Sequence, residues 1–302
     1  MLTDSTREIP PVKRKLLERI RNDNDILIEF LRGFIKCPTP NPPGDTRVAA
    51  QYVAECLDAR GIPFRIIAPN PQMPNLIATF DCGAPGRHLL LNGHMDVFPV
   101  GDGAGWKYDP WGGDLVDATI YGRGACDMKA GTTASIFTFL YLHELRAELR
   151  GRLTLTVVSD EETFGPWGAR YLVEHCPEVV ADCCLNGEPT SPFGFRFGEK
   201  GPLWLLFKVV TPGAHSAYIH RSKNAISIAA SLIGELQTLG EIETPSGDPV
   251  ARLLNEHADT IDRSYGVGAA KIIDKVTVNP GVIRGGLKIN MIAPNCEFEV
   301  DV

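Results

Sequence analysis

Several side chains able to bind a cation or move a proton stand directly behind apolar runs. His94 and Asp96 follow "LLLNG", Glu161 and Glu162 follow "LTLTVVSD", and Glu188 follows "CCLNG". Asp127 lies in "YGRGACDMKAG", a glycine-rich turn that opens into a helical pattern. An imidazole and several carboxylates converging on one sheet edge are the donor set of a hard or borderline divalent metal site. In "SDEE" three acids stand in a row, Asp160, Glu161 and Glu162. Their mutual repulsion disfavours the arrangement in a chain built for stability alone, and divalent cations can hold that many carboxylates ionised. Asp96 is two positions beyond His94, on the same strand face, where it can orient the imidazole. Each residue also has a plain alternative: a satisfied core histidine at His94, a helix cap at Asp127, solvated acids at Glu161, Glu162 and Glu188, and a loop histidine at His215 in "TPGAHSA". All of these alternatives would have to hold together.

Placing such residues on one edge requires strands and helices in alternation. Residues 12–34 carry a helical period with a break near 22–25, and a helix from Asp45 to Arg60 would stop at Gly61. Residues 75–80, 88–94, 152–158 and 182–188 read as strands, and 129–147 and 166–175 as helices. This pattern predicts an α/β fold, a mostly parallel sheet flanked by helices, whose ligands bind at the carboxyl ends of the strands. Beyond Phe197 the character changes. Strands at 203–210 and in "KVTVNPGVIRGG" and "CEFEVDV", with a helix over 224–238, predict a smaller α+β domain of two helices on an antiparallel sheet. The expected division is therefore 1–197 and 198–302.

Composition narrows the function classes. The 302 residues are 44% hydrophobic and 22% charged, with a formal net charge of -7. This is an ordinary globular balance, without the basic stripe that nucleic acid requires. No apolar run nears the roughly 18 residues of a membrane span. The polar N-terminus lacks a secretory apolar segment, so a cytoplasmic protein is expected. The eight cysteines are scattered without a CxxC pair, as expected of reduced thiols.

The ordered stretches "GHMDVFPVG", "YGRGACDMKAG", "SDEETFG", "NGEPT" and "GAHSA" resemble the M20 family of metallopeptidases and deacylases. That group includes acetylornithine deacetylase, succinyl-diaminopimelate desuccinylase, aminoacylase and carboxypeptidase G2. The resemblance implies a zinc-peptidase-like catalytic domain with a lid and dimerisation domain. It also implies two divalent ions, zinc first, with cobalt or manganese as alternatives. Asp127 would bridge them, His94 and Glu188 would complete one site, and Glu162 would serve the other. Glu161 would be the general base on the attacking water, with Asp96 orienting His94. His215 would reach a partner subunit's active site, and Asn290 in "GGLKINMIAP" would help bind substrate.

The implied activity is hydrolysis of the amide bond of N-acyl amino acids or small peptides by a homodimer. Alternatives are a dipeptidase or carboxypeptidase, or a catalytically silent relative. Two departures stand out. "GAHSAYIHRSKNA" has Ile219 and Ser222 where relatives carry Pro and Gly. The sequence also ends at Val302, before the segment in which relatives supply a carboxylate-gripping Arg and a further metal-binding His. The corresponding expectation is a chain that is catalytically poor and holds one metal better than the other. Trp106 and Trp111 in "DGAGWKYDPWGG" are candidates to line the entrance or to pack beneath it.

Overall fold

The computed structural model describes residues 9–191, 194–242, 244–245 and 247–302. The chain divides into two compact units, Met1–Pro189 and Thr190–Val302, a few residues earlier than Phe197.

The first unit opens with α1 (Pro11–Asn22) and α2 (Asn24–Ile35), separated at Asp23. Then come α3 (Arg47–Asp58), β1 (Phe64–Ile67), β2 (Asn75–Asp81) and β3 (Ala84–His94). A small hairpin follows, β4 (Asp114–Val116) and β5 (Thr119–Tyr121). The unit closes with α4 (Lys129–Glu144), β6 (Arg150–Val158), α5 (Ala169–His175) and β7 (Cys183–Asn186). Five strands form one sheet in the order β1-β2-β6-β3-β7. It is mixed: β6, β3 and β7 run parallel, while β1 and β2 add an antiparallel edge. Crossovers long enough to hold α4 and α5 allow the parallel strands, whereas the short β1–β2 connection gives an antiparallel pair, and β2 in turn pairs antiparallel with β6. Short strand β1 and the hairpin were not legible as elements in the sequence.

Register fixes the working edge. His94 lies opposite Val158, and Asn92 opposite Asn186. The carboxyl ends of three parallel neighbours are therefore level. Beneath them the core joins Phe30, Phe34, Val53, Leu57, Leu91, Phe137, Phe139 and Leu155, all buried. Helix α4 is buried along most of its length, including Lys129 at its first position. The Lys129 ammonium donates to the carbonyls of Phe34 (3.0 Å) and Cys37 (2.7 Å) and lies 5.1 Å above the Phe34 ring. It thus satisfies the Cys37 carbonyl just beyond α2 and adds a second donor to the Phe34 carbonyl, which also accepts from the Cys37 N–H. Burial pushes its pKa down to about 8. Lys129→Met keeps the bulk but strands the Cys37 carbonyl. It should cost about 1–3 kcal/mol in urea unfolding, and a wild-type midpoint would contradict this account.

The second unit holds β8 (Trp204–Val210), β9 (Ala214–His215), α6 (Ala225–Gln237), α7 (Pro249–Glu256) and α8 (Ala258–Tyr265). Three strands complete it: β10 (Asn279–Gly285), β11 (Met291–Ile292) and β12 (Asn295–Asp301). Strands β10, β12 and β8 form an antiparallel sheet. Alternation in β12 buries Cys296, Phe298 and Val300 against Ala225 and Ala229 of α6. Asn224 caps α6, its side-chain oxygen accepting from the backbone of Ile226 (2.9 Å) and Ser227 (3.3 Å). Three α-helices accompany the sheet among the described residues, where the sequence predicted two. Among the described residues no helix is long and apolar enough to cross a membrane.

Candidate metal centre

His94 ends β3 and is 1% exposed. Its Nδ1 lies 2.9 Å from the backbone carbonyl of Asp96. A carbonyl can only accept, so Nδ1 carries a hydrogen and Nε2 is the nitrogen that can offer a lone pair once a cation displaces its proton. The orienting contact comes from the main chain of residue 96, since the nearer Asp96 carboxylate oxygen is 3.6 Å away. On the other side Nε2 stands 3.1 Å from Glu188 Oε1, 3.4 Å from Asp127 Oδ1 and 3.5 Å from Glu161 Oε2. It is buried and makes no well-angled hydrogen bond with any of them.

The ligand atoms of His94, Asp127 and Glu188 lie within 4.8 Å of one another, and so do those of His94, Glu161 and Glu162. Glu162 Oε1 also accepts from the backbone N–H of Phe98 (3.0 Å). The third acid of the run behaves differently. Asp160 has a φ of 63° and turns inward, 4% exposed. It accepts from Asn41 Nδ2 (3.2 Å), Thr163 Oγ1 (2.9 Å) and the backbone N–H of Trp167 (3.1 Å). "SDEE" is therefore split between one structural acid and two facing the cluster.

Helix α4 reaches the site by backbone contact. Thr132 Oγ1 donates to the His94 carbonyl (2.9 Å), and Gly131 lies directly against Gly187. A Cβ on Gly131 would stand 1.8 Å from the Gly187 carbonyl oxygen. This close approach brings Asp127, ahead of α4, together with Glu188, beyond β7. Gly131→Ala must push the two elements apart. We expect a loss of about 1–3 kcal/mol in thermal unfolding and weakened metal binding through the displaced Glu188. Unchanged stability and affinity would refute the role of this contact.

The electrostatics call for a cation. Burial opposes a charged His94, but the pull of Asp127, Glu188, Asp96 and Glu161 outweighs it and lifts the pKa to about 11. Burial, with Asp127 and Glu161 nearby, pushes Glu162 up to about 7. Burial likewise raises Glu161, helped by Glu188, Asp96 and Asp127. The Asp127 carboxyl is lowered, chiefly by His94. Without metal, the cluster holds protons that a cation would displace. The raised Glu162 favours the folded apo-protein below its unfolded pKa, and that contribution is lost as pH rises through about 7. Zinc-induced thermal stabilisation should therefore grow between pH 5.5 and pH 8. Calorimetry in buffers of different ionisation enthalpy should show proton release, and a flat profile without release would contradict this reading.

A divalent ion fits these residues: a buried imidazole nitrogen has no hydrogen-bonded partner and faces an excess of carboxylates. In the second unit, β9 pairs with β11 and sets His215 opposite Met291, next to Asn290. The backbone N–H of Ser216 donates to the Asn290 carbonyl (3.0 Å). His215 Nδ1 accepts from the backbone N–H of Ala217 (3.2 Å), leaving Nε2 as a donor on an exposed ring. Trp106 is half-buried beneath the Arg123 guanidinium, 5.2 Å from its ring centre, and Trp111 is also half-buried.

The profile of Peptidase family M20/M25/M40 matches residues 90–299. A succinyl-diaminopimelate desuccinylase of Cereibacter sphaeroides is 34% identical over 209 residues, 67% of this chain and 54% of that protein. The chain spans about half the length of the curated relatives it matches. An M20 family metallo-carboxypeptidase from Sulfolobus solfataricus superimposes with a TM-score of 0.71 at 20% identity, covering 91% of this chain and 70% of that one. A dinuclear metal-binding peptidase of the M20 family from Bacillus subtilis does so at 0.58 and 19% identity, covering 93% of this chain and 65% of that one. These structures share the fold. The matched stretch contains His94, Asp96, Asp127, Glu161, Glu162 and Glu188, and the chain belongs to Peptidase family M20/M25/M40.

Proposed function

We propose that this chain carries the metal centre of a hydrolase that cleaves the amide bond of N-acyl amino acids or small peptides. The observation that carries this reading is the buried, unpartnered Nε2 of His94, shared by two ligand groups. In the proposed arrangement Asp127 and Glu188 join His94 at one ion, and Glu162 serves a second, with zinc first and cobalt or manganese as alternatives. Such ions polarise an amide oxygen and lower the pKa of water. Glu161, raised by burial and by neighbouring acids, takes the proton from the attacking water and delivers it to the leaving amine. His215, reaching a partner subunit's active site, would donate from Nε2 to the developing oxyanion, and Asn290, beside it on the same ribbon, would contact substrate.

The desuccinylase relatives favour an acylated amino acid over a peptide, and the curated match makes an N-succinyl amino acid the first substrate to try. The test is hydrolysis by the zinc-loaded protein of N-succinyl and N-acetyl amino acids and dipeptides, with and without chelator. Chelator-sensitive release of free amine supports the reading, and release insensitive to chelation would overturn it. Faster cleavage of dipeptides would favour the exopeptidase alternative.

Residues 198–302 are proposed as the lid and pairing domain of a homodimer. Trp204, Leu206 and Val210 support this, because they stay exposed on one face of edge strand β8. Sedimentation at micromolar concentration should show a dimer that Leu206→Glu weakens. A monomer in the wild-type protein would rule out pairing.

A further inference from the structure

We infer that Asn41 is a positioning residue for the metal centre, acting through Asp96; this rests on the metal-centre reading above. Asn41 lies in the turn "NPPGDT", which carries no chemistry of its own. In the fold, residues 39–41 run alongside the stretch that follows β3. Thr39 Oγ1 donates to the Met95 carbonyl (2.6 Å), the Val97 N–H donates to the Thr39 carbonyl (3.0 Å), and the Asn41 N–H donates to the Val97 carbonyl (2.9 Å). These bonds bring the Asn41 side chain, 3% exposed, between two buried acids. Its amide nitrogen donates to Asp96 Oδ2 (2.8 Å) and Asp160 Oδ1 (3.2 Å). Only the nitrogen can face both carboxylates, since the amide oxygen would meet two acceptors.

Asp96 is the pivot of this arrangement. The same Oδ2 that accepts from Asn41 accepts from the backbone N–H of Glu162 (3.1 Å). The carbonyl of residue 96 holds His94 Nδ1. Asn41 therefore fixes the group that orients the shared histidine and the start of the Glu162 ligand arm, and through Asp160 it also holds the turn before Glu161. The choice of an amide has a physical reason. A lysine or arginine there would satisfy both acids, but it would place a permanent cation behind a site that must attract one. A neutral double donor pairs the carboxylates and leaves their field intact.

The test reads metal affinity, without substrate, by competing zinc-bound protein against a chelating dye. Asn41→Asp removes both donors at nearly constant volume, and Asn41→Ala and Asn41→Ser remove the bridge in other ways. Removing a supporting partner of a metal ligand typically costs 10–100-fold in affinity, and that loss is expected in all three. With cobalt in place of zinc, the visible spectrum should shift, reporting altered ligand geometry. Thr39→Val is the control: it breaks a bond of the same clip without touching Asp96, so it should lower the unfolding temperature while affinity stays within about two-fold. Asn41 variants with wild-type affinity and spectrum, whatever their stability, would overturn the proposal. Failure of all three to fold with saturating zinc would also overturn it, because Asn41 would then serve the fold alone. If the wild-type protein proves to hydrolyse no amide, these readings still decide the role of Asn41.

Discussion

Glu161→Gln should retain metal and lose turnover by roughly 10²–10⁴-fold, the range that a positioned general base contributes. The side chain occupies the right place for this. Its Oε2 is 3.5 Å from His94 Nε2, and its carboxylate is half-exposed, so it can face a substrate as well as the cluster. Burial and the neighbouring acids raise its pKa, which brings its basicity closer to neutral pH than that of a free glutamate. A glutamine has nearly the same size but cannot accept a proton. The experiment pairs zinc content with turnover on the best substrate found. Loss of turnover with loss of zinc would move Glu161 among the ligands, a role its grouping with His94 and Glu162 permits geometrically. Retention of even a tenth of wild-type turnover would remove it as the base.

Much of this site was legible because parallel strands impose a simple rule. Apolar runs ending in "NGH", "VVSD" and "LNGE" put functional side chains at one edge, and register then makes them level. The halves of the broken N-terminal helix and the helix over 129–144 followed equally from apolar period and punctuation. What stayed hidden depends on pairing across long sequence distances. Nothing in "NPPGDT" announces that Asn41 will meet Asp96 and Asp160, because a short polar side chain before proline is the ordinary signature of a turn. Likewise Asp160 looked equivalent to Glu161 and Glu162. Its left-handed φ, which sends it inward, is set by the turn to Gly165, where any Cβ would overlap the Asp160 carboxylate. Nothing in the sequence singles out Lys129 as buried; the carbonyls of Phe34 and Cys37, which accept from its ammonium, make that burial tolerable. The antiparallel edge of the sheet escaped for a related reason: β1 has only four residues and no distinctive alternation.

His94→Ala should abolish the ion proposed to sit with Asp127 and Glu188 and leave the one served by Glu162 measurable, because Nδ1 is held by the Asp96 carbonyl and the single lone pair of Nε2 can bind one ion. His94 belongs to both ligand groups, whereas Glu188 and Glu162 each belong to one. Loss of only a supporting residue typically lowers affinity 10–100-fold. Loss of this nitrogen donor should exceed about 10²-fold at its ion, leaving carboxylates that zinc holds less well than it holds a mixed nitrogen and oxygen set. Glu188→Ala and Glu162→Ala should each weaken one binding event and leave the other measurable. Combining Glu188→Ala with His94→Ala should add little, since residues acting as a unit are non-additive, whereas Glu162→Ala should add its own loss. Removing the imidazole also removes a cation facing these acids. Its pKa is lifted to about 11, so the stability it contributes is full below its unfolded pKa and shrinks as pH rises toward 11, and the apo variant should lose more at pH 6 than at pH 8. Titration of each variant with zinc against a chelating dye, alongside thermal unfolding at pH 6 and pH 8, reads both effects. A His94→Ala protein that is folded and binds two zinc ions as tightly as wild type would show that the cation is held elsewhere, and the proposed assignment of Glu161 as base beside it would fall with it.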